Sequence, residues 1–211
     1  MRRGLLFLLL MGLCPVSRLR AQLQPAPTFG TTTFGTTVVD SAGLRGVIYY
    51  LKPNTGILPD SFRHLKPRGT IYARSLNVPP RDFTEGFPGV TKRLEWFAID
   101  YSGKFWIRHP AVYRFVLTSD DGSLLYIDDR LIIDNDRIHP AQSKEASLAL
   151  DHGPHSIRVS YFQGPRAAVA LILRIAGPGE ELRVFSTEEF RPRSPEDIPL
   201  PDHEDASGRR P

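Results

Sequence analysis

The stretch TSDDGSLLYIDD, Thr118 to Asp129, decides how this chain reads. Its apolar centre, Leu124 to Ile127, has the composition of a buried strand, yet each end carries two adjacent aspartates. Neighbouring carboxylates repel, so each pair marks either a solvated turn or a place where a cation sits between the two groups. Asp128-Asp129, followed by Arg130 and the apolar run Leu131 to Ile133, reads as a hairpin turn in which Asp bonds to nearby backbone. Asp134-Asn135-Asp136 reads as a loop start for the same reason. Ser119-Asp120-Asp121-Gly122-Ser123 stays open between a plain turn and an ion site. In the second case, a bend at Gly122 turns both carboxylates onto one calcium ion. An EF-hand is excluded, because its alternating aspartate spacing and closing glutamate are absent.

Working outward, strand patterns dominate. Tyr113, Phe115 and Leu117 alternate with Arg114, Val116 and Thr118, and Ile157, Val159 and Tyr161 alternate with Arg158 and Ser160. Val169, Leu171, Leu173 and Ile175 repeat the pattern after Gly164-Pro165. Period-2 alternation buries one face of each strand. Gly46 to Leu51 reads as an opening strand and Ser147 to Leu150 as a short one. Glu95 to Asp100 and Gly103 to Arg108 read as the arms of a hairpin turning at Tyr101-Ser102. The segment from Pro53 to Pro88 is rich in proline and reads as mostly loop, with Gly69 to Ala73 as a strand inside it. Many short strands at regular spacing predict an all-β fold, an antiparallel β-sandwich or barrel.

The ends differ in composition. Residues 1–21 combine Arg2 and Arg3, an apolar run from Leu5 to Leu13 and a terminal Ala21, the pattern of a secretory signal peptide. That run is shorter than the roughly 20 residues that span a bilayer, so no transmembrane span is expected once it is removed. The formal charge of +4 resides in this segment, whose four arginines face no acidic residue. Without it, 23 basic residues balance 23 acidic ones, and the electrostatic case for nucleic acid disappears. The single cysteine, Cys14, also lies there, so the exported chain would rely on its core or a bound ion rather than disulfides. Residues 22–40 are a Thr/Gly/Pro-rich lead expected to be mobile, 41–190 the folded domain, and 191–211 a charged, proline-rich tail expected to be disordered.

Enzyme signatures are missing: no nucleophile elbow, no paired-histidine zinc helix and no phosphate loop. His152 and His155 bracket Gly153-Pro154 and could pair on zinc, but no third ligand stands nearby, so they read as residues at a strand start. Asp120 and Asp121 are adjacent and cannot straddle a sugar as glycosidase carboxyls do across ~5–9.5 Å. The chain is therefore expected not to be an enzyme.

The run from Tyr113 to Asp128, YRFVLTSDDGSLLYID, resembles the core motif of the protective-antigen-type (PA-fourteen) domain. Gly43-Leu44-Arg45-Gly46 before an aromatic strand and the segment from Leu150 to Tyr161 are similar to its opening and late strands, so the likeness covers about Ser41 to Gly177. The resemblance implies a β-barrel or sandwich found in toxins, adhesins and glycosidases, usually as a non-catalytic carbohydrate-binding module. It implies that Asp120 and Asp121 hold calcium across a cis peptide bond and that the ion contacts sugar hydroxyls. It further points to the loop Gln163-Gly164-Pro165-Arg166-Ala167, where Gln163 could add an oxygen and Arg166 would weaken ion binding or select an acidic ligand. The expected function is a secreted or cell-envelope module that binds a glycan or cell-surface polysaccharide through calcium. The alternative is a structural domain of the envelope that binds another protein and uses the aspartates only to shape a turn.

Overall fold

The computed structural model describes residues 32–34, 37–39, 43–82, 84, 86–90, 93–165 and 168–192. These form thirteen strands. β1 (Thr32–Phe34) and β2 (Thr37–Val39) pair as an antiparallel hairpin, so part of the lead is strand; its Thr and Val content suits extended backbone. The segment read as a signal peptide (1–21), the rest of the lead up to residue 31 and the tail from residue 193 lie outside the described residues.

Two larger antiparallel sheets follow. The first contains β3 (Leu44–Tyr50), β4 (Pro67–Ala73), β6 (Phe97–Ile107), β8 (Ser123–Ile127), β9 (Arg130–Asn135) and β11 (Gly153–Gln163), in the order β4-β3-β6-β11-β8-β9. The second contains β5 (Asn77–Asp82), β7 (Ala111–Asp120), β10 (Gln142–Leu150), β12 (Ala168–Ala176) and β13 (Arg183–Val184). There β12 pairs with β7 on one side and with β5 and β13 on the other, while β10 flanks β7. The expectation of an all-β antiparallel sandwich or barrel holds, and two packed sheets make it a sandwich.

The alternating apolar residues meet between the sheets. Phe115 and Leu117 of β7 and Leu171 and Leu173 of β12 are fully buried with Phe97 and Ile99 of β6, Leu125 of β8 and Val159 of β11. Each such side chain stabilises the fold by roughly 1.5–3 kcal/mol relative to exposure. A smaller cluster covers the outer face of the first sheet, where Leu51, Leu58 and Phe62 of the connection after β3 pack on Ala98 and Phe162.

Three local readings are corrected. Tyr101-Ser102 is not a turn: β6 runs unbroken for 11 residues. Phe97, Ile99, Tyr101, Phe105 and Ile107 all face the core, with no break in phase across Ser102-Gly103. β10 extends to nine residues, because its first half, Gln142 to Glu145, is an exposed and polar edge that shows no alternation. β5 was hidden by Pro79 and Pro80, which an edge strand accommodates.

Candidate functional site

β7 belongs to the second sheet and β8 to the first, so the chain changes sheets at Asp120-Asp121-Gly122. The peptide bond between Asp120 and Asp121 is cis. Both aspartates are only 4% exposed, far less than a solvated turn allows. Gly122 does not adopt a left-handed conformation; it is required by close approach. A Cβ at this position would lie 2.4 Å from Cε1 of Phe162, 2.7 Å from Oδ1 of Asp136 and 2.9 Å from the amide nitrogen of Arg137.

Three elements surround the pair. The β9–β10 connection donates the amide of His139 to Asp121 Oδ1 at 3.1 Å, and the amide of Ala141 bonds to Asp120. The β11–β12 connection donates the amide of Gly164 to Asp121 Oδ2 at 2.8 Å. From the core, the hydroxyl of Tyr161 lies 2.7 Å from the carbonyl oxygen of Asp120 and 2.6 Å from Oε1 of Gln163. Gln163 is fully buried; its Nε2 donates to Asp121 Oδ2 at 3.3 Å and to the carbonyl of Ala168 at 3.1 Å. Gln163 thus turns its nitrogen, not its oxygen, toward the acidic pair. Arg166 lies outside the described residues.

These bonds do not fully offset the cost of ionising two buried neighbours. Burial, followed by the charge of Asp121, pushes the Asp120 carboxyl up to about 6, against the opposing pull of the Ala141 amide and of His139. Burial also raises Asp121, countered by the amides of Gly164 and His139 and by the charge of His139. The result is a buried cluster of carboxylate oxygens whose ionised forms are disfavoured, and carboxylate oxygen is the donor type that a hard divalent cation takes. His139 does not offer nitrogen to a metal: Nδ1 lies 2.9 Å from the Pro140 carbonyl and Nε2 lies 2.9 Å from that of Asn135.

Other candidate groups serve the fold. Asp128 and Asp129 form the β8–β9 turn with φ of 49° and 61°. The Asp128 carboxylate does not bond to its own turn; it accepts the Ser156 amide at 2.8 Å and pairs with His155 Nδ1 at 2.6 Å. Nε2 of His155 lies 2.9 Å from the Asp151 carbonyl, and the His152 ring packs edge-on against Trp106, so the two histidines do not converge. Asp134 accepts the Asp136 amide at 3.0 Å, and Asp136 accepts the amide of Leu58 at 3.0 Å. Asn135, in the segment whose composition reads as a loop start, is fully buried and donates to Ser119 Oγ at 2.9 Å, while its Oδ1 has no partner among the described residues. Neither Asn135 nor His139 carries a spacing signal, since their contacts depend on how the sheets close.

Two antiparallel sheets over one core, with buried paired carboxylates where the chain passes between them, define a β-sandwich module of the kind the motif suggested. The chain belongs to the PA14 domain family, whose model matches residues 40–184. A curated relative, the anti-sigma-I factor RsgI3 of Acetivibrio thermocellus, is 27% identical over 121 residues, which is 57% of this chain and 18% of that protein. Among solved structures, an anti-sigma factor domain-containing protein superposes with a TM-score of 0.57 at 22% identity, over 75% of this chain and 50% of that one. The PA14 sugar-binding domain from an RTX adhesin superposes with a TM-score of 0.56 at 16% identity, over 69% of this chain and 96% of that one. The chain thus spans under a fifth of the curated relative and half of the first structure. Among the described residues, no helix is long and apolar enough to cross a membrane.

Proposed function

We propose that this chain is a secreted or cell-envelope binding module without catalytic activity, which holds calcium at Asp120 and Asp121 and binds a glycan or surface polysaccharide through that ion. The observation that carries the reading is the pair of adjacent carboxylates, each 4% exposed, with Asp120 raised to about 6 by burial and by its neighbour. Calcium takes 6–8 oxygens; Asp120 and Asp121 supply the charged ones, and backbone carbonyls, water and vicinal sugar hydroxyls suit the rest. A bound calcium would supply the missing positive charge and a point of attachment for hydroxyls. Gln163 fits a positioning role, since its amide nitrogen and the Gly164 amide together fix Asp121. Arg166, three residues after Gln163 in the sequence, would favour acidic glycans. The structural likeness to a sugar-binding domain from an RTX adhesin supports the ligand class. A glycan array probed in calcium and again in EDTA tests it: hits present only in calcium, and absent for Asp121→Asn, are expected, and calcium-independent hits count against it.

A second reading is a protein-interaction domain of the envelope. Its support is the 27% identity to the anti-sigma-I factor RsgI3. A reproducible protein partner that binds equally well in EDTA, with an array empty in calcium, favours it.

A further inference from the structure

The connection between β3 and β4 lines an open cleft of about 570 Å³ that the acidic pair does not touch. Three cations face it: Lys52, Arg68 and Arg93. Two of them converge on one ring, that of Tyr50 at the end of β3, with Cζ of Arg68 5.1 Å and Cζ of Arg93 4.9 Å from its centroid. Arg93 is fixed in place: Nε donates to the Glu95 carbonyl and Nη2 to the Leu51 carbonyl, both at 2.9 Å, and Nη1 stays unused. Arg68, exposed, makes no hydrogen bond or ion pair among the described residues. The one carboxylate in the cleft, Asp60, is exposed and pairs with none of the three cations. Thr55 turns back on the chain, its hydroxyl donating to the Lys52 carbonyl at 2.6 Å. The rest of the wall is apolar: Leu58, Pro59 and Leu65, with Ile57, which is 52% exposed.

Two guanidiniums on one ring repel each other, and an exposed cation–π contact holds each only weakly. An oxyanion between them relieves the repulsion, and the guanidinium N–H groups match the oxygens of a carboxylate or a sulfate. Asp60 repels a second anion but accepts hydrogen bonds from hydroxyl groups. Leu58, Pro59 and Leu65 suit a face of C–H groups. Oxyanion, hydroxyls and an apolar face together describe one chemical class. We propose that the cleft is a second binding site, for an acidic sugar, a uronic acid or a sulfated hexose. Its oxyanion sits on Arg68 and Arg93, its hydroxyls donate to Asp60, and its C–H face packs on Leu58 and Leu65. The site needs no calcium and stands whether or not the acidic pair binds a glycan.

The test is a titration of the purified chain in EDTA, followed by amide spectra, with glucuronate, glucose 6-sulfate, glucose and inorganic sulfate. EDTA silences a calcium site, so failure here and failure at the acidic pair are distinguishable. Saturable shifts at residues 50–60, 65–68 and 93–95 are expected with at least one of the acidic sugars, and the one that binds identifies the oxyanion. Arg68→Gln and Arg93→Gln should each weaken that sugar about tenfold, the worth of one charge-assisted hydrogen bond. Glucose and inorganic sulfate should each bind at least about tenfold more weakly than the acidic sugar, because each lacks part of the recognised chemistry. If Arg93→Gln fails to fold, the exposed Arg68→Gln decides alone. The proposal is overturned if neither acidic sugar gives saturable shifts, or if Arg68→Gln binds them as the wild type does. Glucose binding as tightly as the acidic sugar also overturns it, as does inorganic sulfate binding as tightly, which leaves a bare anion site.

Discussion

The hydroxyl of Tyr161, on β11 of the first sheet, lies 2.7 Å from the carbonyl oxygen of Asp120, the last residue of β7 in the second. The acidic pair is therefore anchored from inside the core, and one ring ties together the two sheets that meet there. Phe87 stacks on the same ring at 5.0 Å and Phe97 meets it edge-on at 6.3 Å, so two aromatic neighbours hold the ring.

Tyr161→Phe keeps the ring and removes the hydroxyl. It removes the single hydroxyl proton that the Asp120 carbonyl and the Gln163 oxygen share, so a loss of about 1–3 kcal/mol is expected in urea denaturation. Calcium affinity should fall in the same variant, because the backbone of the pair loses its fixed point. Unchanged stability would show that the bond carries no weight.

Gly122→Ala places a methyl group against Phe162, Asp136 and the backbone of Arg137. The backbone neighbour cannot rotate aside, so the β9–β10 connection that holds the pair must shift. Overpacking of this kind costs about 1–3 kcal/mol. Thermal denaturation should show the loss, and amide spectra should show shifts concentrated at residues 136–141 and 163–165.

The pair also sets a dependence on pH in calcium-free buffer. Asp120 keeps its proton up to about pH 6 in the folded chain, against an ordinary value of 3.8, and Asp121 is raised too. Between those limits the folded state binds more protons than the unfolded state, so this contribution lowers stability as pH rises and returns it on acidification. Relative to the variant carrying Asp120→Asn and Asp121→Asn, the wild type in EDTA should gain stability from pH 7 to pH 5. A wild type that loses stability relative to that variant contradicts the assignment.

His155 and Asp128 act in the opposite sense. Burial opposes the shift, but the hydrogen bond to Asp128 raises His155; likewise, the bonds from His155 and Ser156 lower Asp128 despite its partial burial. The histidine contribution is present below its ordinary value of 6.5 and is lost as pH rises through its raised value; the aspartate contribution is present above 3.8 and is lost as pH falls through its lowered value. Asp128→Ala should therefore destabilise most between these limits. The effect should be modest, since Asp128 is about half exposed.

The strands that face the shared core were legible because their alternation records one buried side, as in Tyr113-Phe115-Leu117 and Ile157-Val159-Tyr161. The motif around Asp120 and Asp121 was legible because residue type and order carry it. What lay hidden depended on distant contacts or on positions without a buried face. Tyr101-Ser102 has the local composition of a turn, yet the phase of buried residues in β6 runs through it unbroken. The amides of His139 and Gly164 reach Asp121 only after the connections fold over it, and backbone donors leave no mark in a sequence. Leu58 and Phe62 lay in a proline-rich segment read as loop, yet they form a second apolar layer against Ala98 and Phe162.

Calorimetric titration of calcium into the metal-free chain bears most directly on the central claim, that burial leaves Asp120 and Asp121 short of a positive charge which a divalent ion supplies. One ion per chain is expected for the wild type, with no measurable heat for the variant carrying Asp120→Ala and Asp121→Ala. Heats near zero in both, or a wild-type signal that the double substitution leaves intact, would contradict it.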